Sequence, residues 1–315
     1  MTTRAEILHV ARGRSLGAGP SALAVDVGGT GMKAALFDTA GSLVDARTEP
    51  TPSCTQDAAN EVIEAIGRFQ EEFAGLYGHD SMAEAAVVVP GIVDDETGTG
   101  LFSANLGWRD VPFRELLSRR LGMRVALSHD VRAAGRAEFE LGRDTPANAV
   151  MITIGTGLAG AIRIEGDLLS AGGYAGEIGF TEVAVDTGDG RFRGPIEHIA
   201  SAAAIARRYS QRSGREAAGS LDVVDALRRG DAIAAEVFGE AVDALGAVCA
   251  QLVAIIAPDV IVFGGGLSSA DELLNGIEDA LRRRLNFHKM PIIRRAVLGP
   301  VAGLIGAGLL TRRQR

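Results

Sequence analysis

Residues 23–37 read LAVDVGGTGMKAALF and decide the fold of this chain. Two apolar runs flank the glycine pair Gly28 and Gly29, which predicts a strand, a tight turn and a return strand. One acid, Asp26, lies inside the first run, two residues before the glycines. Because glycine has no Cβ, its backbone N–H group can approach an anion closely. The stretch therefore predicts a hairpin whose turn binds phosphate.

The residues around this turn add polar groups to it. Thr30 supplies a hydroxyl and Lys33 a cation, and both kinds of group bind phosphate oxygens. Asp26 can hold Mg²⁺, usually through water, because Mg²⁺ releases its hydration shell reluctantly. The alternative is an ordinary hairpin whose acid faces solvent. A second turn of the same kind would favour phosphate binding.

A second glycine turn begins the second half of the chain. A strand predicted over residues 149–154 ends at Gly155, Thr156 and Gly157, and a return strand follows over residues 160–164. Two such hairpins half a chain apart predict a duplicated fold, with both turns directed at one cleft. A polyphosphate held from two sides suits this arrangement.

A third glycine cluster, Gly264, Gly265 and Gly266, follows an apolar strand predicted over residues 260–263. Bare backbone at the carboxyl end of a strand lets a flat ring or a ribose lie against it. A turn required by helix packing explains these glycines equally well on local grounds.

Composition narrows the class of protein. The chain has 315 residues, of which 47% are apolar and 23% charged, so it is globular with one large or two medium domains. A net charge of −8 argues against nucleic acid or an anionic membrane as partner. Cys54 and Cys249 show no metal-binding spacing. The N-terminus does not resemble a signal peptide, and no uncharged apolar run reaches the roughly 20 residues of a membrane span. We expect a soluble, cytoplasmic protein.

Four polar residues are candidates for catalysis or substrate binding. Asp130 follows a strand predicted over residues 124–127 and opens a helix, where its carboxylate can act as a fixed general base or only as a helix cap. Asn105 lies in a polar, glycine-rich loop, and its amide can donate to and accept from a sugar hydroxyl. Glu177 and Glu197 lie in glycine-rich segments and suit vicinal hydroxyls. A first-turn acid that complements the helix dipole is the alternative for Glu197.

Taken together, these residues resemble the ROK family of repressors and sugar kinases, which has the actin–hexokinase–Hsp70 fold. The resemblance runs from about residue 22 to the C-terminus, in order and with similar spacing. Its motifs are DVGGTGMK at 26–33, PGIVD at 90–94, NLGW at 105–108, HD at 129–130, IGTG at 154–157, EIG at 177–179, GPIE at 194–197 and GGG at 264–266.

The resemblance implies an α/β fold of two actin-like, ribonuclease-H-like lobes with an active-site cleft between them. The expected parts are an N-terminal arm over residues 1–21, a smaller lobe over 22–130 with 300–315, and a larger lobe over 131–299. Repressor members carry a winged-helix segment ahead of the glycine hairpin, and the 22 residues before Leu23 are too few for one. The resemblance also implies a homodimer.

The function that the resemblance implies is ATP-dependent phosphorylation of a hexose, usually at O6, with Asp130 as the general base. The residues expected to bind the sugar are Gly91, Asn105, Asp130, Glu177 and Glu197. Those expected around MgATP are Asp26, Gly28, Gly29, Thr30, Lys33, Gly155, Thr156 and Gly157, with Gly264, Gly265 and Gly266 against the adenosine. Mg²⁺ would come with ATP, with Asp26 as its candidate contact, and no metal is expected on the protein alone.

Two departures from the family pattern concern the substrate. Many members follow Glu-Ile-Gly with His and carry a cysteine-rich segment that binds structural zinc. Here Phe180 takes the place of the His, and residues 186–197 contain no cysteine, so we expect no zinc site. Phe180 also removes a polar partner near C1 and C2 of the sugar. Arg132 stands near the expected base, where the family commonly has Asn.

Three functions therefore remain open. The first is a glucose-type hexokinase. The second is a kinase for an amino or N-acyl hexose, such as 3-amino-3-deoxyglucose (kanosamine), N-acetylglucosamine or N-acetylmannosamine, which Phe180 and the cysteine-free segment motivate. The third is a non-catalytic sugar sensor, which the presence of both Asp26 and Asp130 disfavours. Polyphosphate in place of ATP as the phosphoryl donor is open as well.

Overall fold

A computed structural model of the chain describes residues 2–52 and 57–312, and Cys54 lies outside these residues. The helices are α1 (Arg4–Ala11), α2 (Ala58–Tyr77), α3 (Phe113–Leu121), α4 (Asp130–Ala137), α5 (Glu197–Ala200), α6 (Ala202–Ser213), α7 (Ser220–Arg228), α8 (Ala232–Ile256), α9 (Asp271–Arg284) and α10 (Ala302–Leu310). Short 3-10 turns lie at His79–Ser81, Ala171–Gly173, Ile178–Phe180, Gly266–Ser269 and Gly299–Val301, and a π-helical turn, Glu138–Gly142, follows α4.

The strands fall into two large sheets and two small ones. They are β1 (Ala22–Val27), β2 (Gly31–Phe37), β3 (Leu43–Pro50), β4 (Glu84–Val89), β5 (Ile92–Asp94), β6 (Thr99–Phe102), β7 (Arg109–Val111), β8 (Arg124–His129), β9 (Ala149–Ile154), β10 (Leu158–Ile164), β11 (Asp167–Leu168), β12 (Glu182–Thr187), β13 (Gly190–Pro195), β14 (Val260–Gly264) and β15 (Ile292–Arg295).

The chain divides into two compact units. The first comprises Met1–Asp144, Ser170–Ala175 and Pro300–Arg315, and the second comprises Thr145–Leu169 and Gly176–Gly299. In this division α4 belongs to the first unit, because it packs along α10. The domain boundary expected from the sequence lay instead at residue 130, with residues 131–299 in the larger lobe.

The first unit is built on a sheet with the strand order β3-β2-β1-β4-β8. The first three strands are antiparallel neighbours, and β4 and β8 run parallel to β1. Every residue of β1 is buried, as expected for a central strand covered on both faces. One apolar cluster joins this sheet to α2 and α3, while α10 packs against β1 and β4.

The N-terminal arm expected over residues 1–21 contains α1. Its start is a capping box, in which the Thr3 side chain accepts from the Glu6 N–H group and the Glu6 side chain accepts from the Thr3 N–H group. Ile7 is fully buried, and α1 packs on β3. The arm is therefore part of the first unit, and the T-x-x-E pattern was a sequence signal for it.

The second unit repeats this sheet, with the order β11-β10-β9-β14-β15. Again the hairpin strands are antiparallel, and the two outer strands run parallel to the first strand of the hairpin. The strand order and directions correspond one to one with those of the first unit. The duplication predicted from the two glycine hairpins is therefore present in the fold.

Helix α8 is long and apolar enough, at 25 residues, to meet the length and composition criteria for a membrane span. It packs against α6, α7 and α9, and its buried face belongs to the apolar core of the second unit. Glu240 within it is paired with Arg208 and Arg212. These contacts identify α8 as a core helix.

Candidate active site

The first glycine turn closes between β1 and β2. The N–H group of Gly28 donates to the carbonyl oxygen of Gly31 at 3.0 Å. Thr51, which follows β3, donates its hydroxyl to the carbonyl oxygen of Gly28 at 2.6 Å and its N–H group to that of Thr30 at 3.3 Å. Gly29 and Thr30 remain exposed. Thr51 thus holds the turn in shape while its tip stays open, and no local sequence signal pointed to Thr51.

Asp26 lies directly opposite Lys33 in the β1–β2 register. The Lys33 Nζ donates to Asp26 Oδ2 at 2.7 Å, and the two side chains are 18% and 9% exposed. Burial raises the pKa of Asp26 above its usual range, the Lys33 ammonium opposes this rise, and the charge of Asp130 adds to it. The strand lysine is therefore paired rather than directed into solvent, and Asp26 and Asp130 lie close enough to interact.

Asp130 is the first residue of α4, at the end of β8. Its Oδ1 atom accepts from the N–H group of Val131 at 2.7 Å and lies 3.0 Å from Nε2 of His129. The Asp130 side chain is 26% exposed. Among residues 2–52 and 57–312, no hydrogen bond is made to its Oδ2 atom. One carboxylate oxygen is thus held by the backbone, and the other makes no hydrogen bond to the described residues.

Arg132 forms a two-point ion pair with Asp95, which the sequence analysis did not single out. Its Nε and Nη2 atoms donate to the two carboxylate oxygens at 3.2 and 2.9 Å, and Nη2 also donates to the carbonyl oxygen of Val93 at 3.0 Å. The hydroxyl of Ser128 donates to the same carboxylate at 3.1 Å. In the described part of the chain, Nη1 of Arg132 is buried without a hydrogen-bond partner.

Asn105 lies in a closed loop between β6 and β7. The N–H group of Ser103 donates to the carbonyl oxygen of Trp108 at 3.0 Å, and that of Gly107 donates to the carbonyl oxygen of Ser103 at 2.9 Å. Trp108 is buried and packs edge-on against Phe113, with ring centroids 4.9 Å apart. The tryptophan is therefore an anchor in the core, and it holds the exposed Asn105 at the surface.

Gly91 lies against the start of the same loop. A Cβ atom at this position would lie 2.1 Å from the carbonyl oxygen of Phe102, and the backbone has φ of +98°. Only glycine allows this close approach without strain. Packing alone thus explains the residue, whatever it contributes to substrate binding.

The second glycine turn is shorter than the first and meets a carboxylate. The N–H group of Gly155 donates to the carbonyl oxygen of Gly157 at 2.9 Å, and Thr156 is exposed at the tip. Oε2 of Glu197 accepts from the N–H group of Leu158 at 2.8 Å. A Cβ atom on Gly157 would lie 2.6 Å from the same oxygen. Glu197 therefore belongs to the second turn.

The third glycine cluster lies beside this turn. Gly265 has φ of +83°, and a Cβ atom there would lie 2.1 Å from the carbonyl oxygen of Ile154, the last residue of β9. Gly264 is buried, and Gly266 is exposed. The cluster thus makes a close backbone contact at the residue where the second turn begins.

Glu177 precedes a 3-10 turn that packs beside Glu197. The carbonyl oxygen of Glu177 accepts from the N–H group of Phe180 at 3.1 Å. A Cβ atom on Gly179 would lie 3.2 Å from Oε2 of Glu197. The ring of Phe180, at the end of this turn, is 69% exposed. Asp26, Lys33, the first turn, Asn105 and Asp130 belong to the first unit. Glu177, Glu197, the second turn and the third glycine cluster belong to the second.

The cysteine-free segment over residues 186–197 contains the end of β12, the turn after it and the return strand β13, which pairs antiparallel with β12. Val183 and Val185 of β12 are buried in the core that contains α8. At the tip, the N–H group of Gly188 donates to Oε1 of Glu240 at 2.8 Å. Within the described ranges, no group of three or more His, Cys, Asp or Glu side chains is placed to hold a metal ion. Packing and hydrogen bonding hold this hairpin, and the absence of structural zinc stays a prediction.

Comparison with known proteins identifies the family. The sequence profile described as the ROK family matches residues 22–314. A glucokinase of Halalkalibacterium halodurans is 32% identical over 92% of this chain and 94% of its own length. An N-acetylgalactosamine kinase of a Shewanella species is 30% identical over 91% and 95%.

A solved structure agrees with these sequence relatives. The ROK family glucokinase from Streptomyces griseus, in complex with glucose and AMPPNP, superposes with a TM-score of 0.75 at 29% identity, covering 93% of this chain and 100% of that one. This confirms the predicted α/β fold of actin-like lobes. The chain therefore belongs to the ROK family and is a sugar kinase.

Proposed function

We propose that the protein transfers the γ-phosphoryl group of MgATP to the 6-hydroxyl of glucose or a glucose-like hexose, with Asp130 as general base. The observation that carries the proposal is the Asp130 carboxylate, which has one oxygen held by the backbone and the other able to accept a proton. Support for the substrates comes from the 32% identical glucokinase and from the solved glucokinase that binds glucose and AMPPNP.

The chemistry follows from this carboxylate. As the oxygen of the sugar 6-hydroxyl forms its bond to the γ-phosphorus, the bond from that phosphorus to the ADP oxygen breaks. Asp130 takes the hydroxyl proton and later releases it to solvent, so the products are ADP and the hexose 6-phosphate. The bond from Val131 to Oδ1 keeps the carboxylate from rotating, which preserves the geometry that proton transfer needs.

The first glycine turn suits the phosphates, with Gly28, Gly29 and Thr30 offering backbone donors and a hydroxyl, and the second turn offers the same groups at Gly155, Thr156 and Gly157. Asp26 already accepts from Lys33 through Oδ2, so its donor set fits a water-mediated contact to Mg²⁺ better than a direct one. Mg²⁺ bound with ATP would offset the negative charge of the phosphates. Gly264, Gly265 and Gly266 are proposed to lie against the adenosine.

The sugar hydroxyls are assigned to Gly91, Asn105, Glu177 and Glu197. Oε2 of Glu197 accepts from the N–H group of Leu158, so the side chain has a fixed direction. Its Oε1 atom is then the acceptor we propose for a sugar hydroxyl. Charge-assisted hydrogen bonds of this kind are about twice as strong as neutral ones. A homodimer remains a prediction from the resemblance.

A second candidate is a kinase for an amino or N-acyl hexose. Phe180 carries it, because this ring is 69% exposed on the turn that packs beside Glu197. An exposed aromatic ring offers an apolar contact to an acyl group. The 30% identical N-acetylgalactosamine kinase supports this alternative. Comparing kcat/KM for glucose and its 2- and 3-substituted analogues, in the wild type and in Phe180→His, decides between the two.

The test of the proposed base is Asp130→Asn in a coupled ADP-release assay, with sugar affinity measured separately by calorimetry. We expect kcat to fall by about 10³-fold or more, since the amide cannot take the proton, while the sugar Kd stays nearly unchanged. Asp80→Asn is the matched control, because it makes the same replacement at an exposed position.

A fall in kcat of less than about tenfold, or ~1.4 kcal/mol in the barrier, would show that Asp130 is not the base. Polyphosphate is assayed in parallel with ATP at saturating sugar. Turnover with polyphosphate but not with ATP would leave the assignment of Asp130 as base unchanged and would identify polyphosphate as the phosphoryl donor.

A further inference from the structure

We infer that Arg132 is a positioning residue that holds the sugar-binding loop in register with the catalytic base. This inference rests on the proposed function, since it takes Asp130 as the base and Asn105 as a residue that binds the sugar. The link is the ion pair between Arg132 and Asp95, which connects the helix of the base to the small sheet that carries the Asn105 loop.

On the loop side, Asp95 follows β5 in the three-stranded sheet β5-β6-β7, and Asn105 lies between the second and third of these strands. Hydrogen bonds hold the turn around Asp95, where Oδ1 of Asp94 accepts from the N–H group of Glu96 at 2.9 Å. Arg114 donates to the carbonyl oxygen of Glu96 at 2.7 Å. We therefore expect Asp95 and the sheet β5-β6-β7 to move together.

On the helix side, the Asp95 carboxylate binds residues on both flanks of the base. Ser128, two residues before Asp130, donates its hydroxyl at 3.1 Å. Arg132, two residues after Asp130, donates through Nε and Nη2. A two-point guanidinium–carboxylate contact fixes angle as well as distance. The residues on either side of the base are thus tied to one carboxylate of the loop.

Stability alone does not explain this arrangement. The Arg132 side chain is 4% exposed, and its Nη1 atom is buried without a partner among the described residues. Buried ion pairs are often no more stabilising than apolar residues of similar volume, and an unmatched buried donor lowers stability further. A requirement for geometry accounts for keeping the charges, because small displacements of reacting groups lower rates strongly.

The test is a double-mutant cycle of Asp95→Asn, Arg132→Met and the two combined, with melting temperature, kcat and sugar KM measured for each. Asp95→Asn leaves the buried Arg132 charge unpaired, and Arg132→Met leaves the half-buried Asp95 carboxylate without its ion pair, so both are expected to melt earlier. The double variant has neither charge and recovers most of the loss. If Arg132 acts by positioning, kcat does not recover together with the melting temperature. We expect kcat of the double variant to stay about tenfold or more below wild type.

The split between kcat and KM separates positioning from folding. We expect sugar KM in the double variant to stay within about threefold of wild type, because Asn105 itself is unchanged. The matched control is the pair Glu84–Arg124, an ion pair between the first residues of β4 and β8, changed to Gln and Met. Its kcat should remain within about twofold of wild type.

Arg132→Lys provides an independent readout if the Met variants do not fold. It keeps the charge but cannot form the two-point contact, so we expect near-normal melting with kcat reduced about fivefold or more. Recovery of both melting temperature and kcat in the double variant, or wild-type kcat in Arg132→Lys, would overturn the inference. Absence of turnover in the wild type with every hexose would instead refute the proposed function.

Discussion

The two glycine turns end equivalent strands but obtain their charge in different ways. In the first unit, Asp26 lies two residues before Gly28 and is paired across the hairpin with Lys33. In the second unit, the residue two positions before Gly155 is Thr153. Its neighbour on β10 is alanine. The strands of the first turn therefore carry a carboxylate and an ammonium group, Asp26 and Lys33, and the strands of the second turn carry neither at these positions.

The carboxylate at the second turn comes from a distant part of the chain. Glu197 begins α5 and accepts a hydrogen bond from the N–H group of Leu158, just after the turn. Backbone pairing thus repeats between the units, whereas the electrostatics do not. The difference supports the proposal that the first turn, near the proposed base Asp130, is specialised for charge, and that the second turn offers backbone groups and one acid from a distant part of the chain.

Replacing Asp26 by Asn is the largest expected disturbance of this comparison. Burial raises the pKa of Asp26 in the folded protein above that in the unfolded chain. Its contribution to the free energy of unfolding is therefore fully present below the pKa of the unfolded chain and is lost as pH rises through the raised pKa. The Asn variant leaves the Lys33 ammonium without its partner, so we expect it to melt earlier than wild type, with a deficit that is smallest at pH 7.5 and grows towards pH 5 as wild type gains stability. Its kcat should fall by about a hundredfold or more, because the proposed water-mediated contact of Asp26 with Mg²⁺ is lost.

Asp45→Asn is the control for the sign of this pH dependence. Asp45 is also buried, but hydrogen bonds from Arg4, the backbone of Ala46, Tyr77 and Arg47 outweigh burial and lower its pKa to about 2. Its stabilisation is present above the usual carboxyl pKa and is lost as pH falls towards 2. Asp45→Asn should therefore lower the melting temperature at neutral pH with little effect on kcat. Parallel pH profiles for the two variants would contradict the assignment of Asp26.

Glu197→Gln removes the imported charge of the second turn while keeping an acceptor for the N–H group of Leu158. We expect sugar KM to rise about tenfold or more, as a charge-assisted hydrogen bond to a hydroxyl becomes a neutral one, with a smaller change in kcat. Steady-state kinetics over a range of sugar concentrations measures both. Glu182→Gln, at an exposed position of β12, is the control. A KM within about twofold of wild type would remove Glu197 from the sugar site.

Gly265→Ala disturbs the backbone contact beside the second turn. The added Cβ atom would lie 2.1 Å from the carbonyl oxygen of Ile154 at φ of +83°, so we expect a loss of about 1–3 kcal/mol in the free energy of unfolding and weaker ATP binding. Gly266→Ala is the matched control for the free energy of unfolding, because nothing lies within 4 Å of its Cβ position. Equal denaturation midpoints for the two variants would show that the contact is not needed.

Local sequence patterns were sufficient for the parts of the site that depend on neighbours in the chain. The period of apolar residues and the glycines predicted both hairpins, because strand alternation and turn chemistry are local properties. The Asp130 position at a strand end was predictable for the same reason.

Contacts between distant residues could not be predicted in this way. Thr51 reaches the first turn from beyond β3, and Asp95 reaches Arg132 across 37 residues of chain. Neither residue has a distinctive neighbourhood in the sequence. The strands β5, β6 and β7 are three or four residues long and lie in a glycine-rich stretch that was interpreted as loop, because periodicity is not measurable over so few residues.

The most direct test of the central claim is a coupled ADP-release assay of the wild-type protein with MgATP. The panel contains glucose, mannose, glucosamine, N-acetylglucosamine, N-acetylmannosamine and 3-amino-3-deoxyglucose, with 6-deoxyglucose as the blank. If the protein is a hexose 6-kinase, we expect turnover with at least one sugar that has a 6-hydroxyl and no turnover above background with 6-deoxyglucose. Measurable sugar binding without turnover on any member of the panel would contradict the account and favour a sugar sensor.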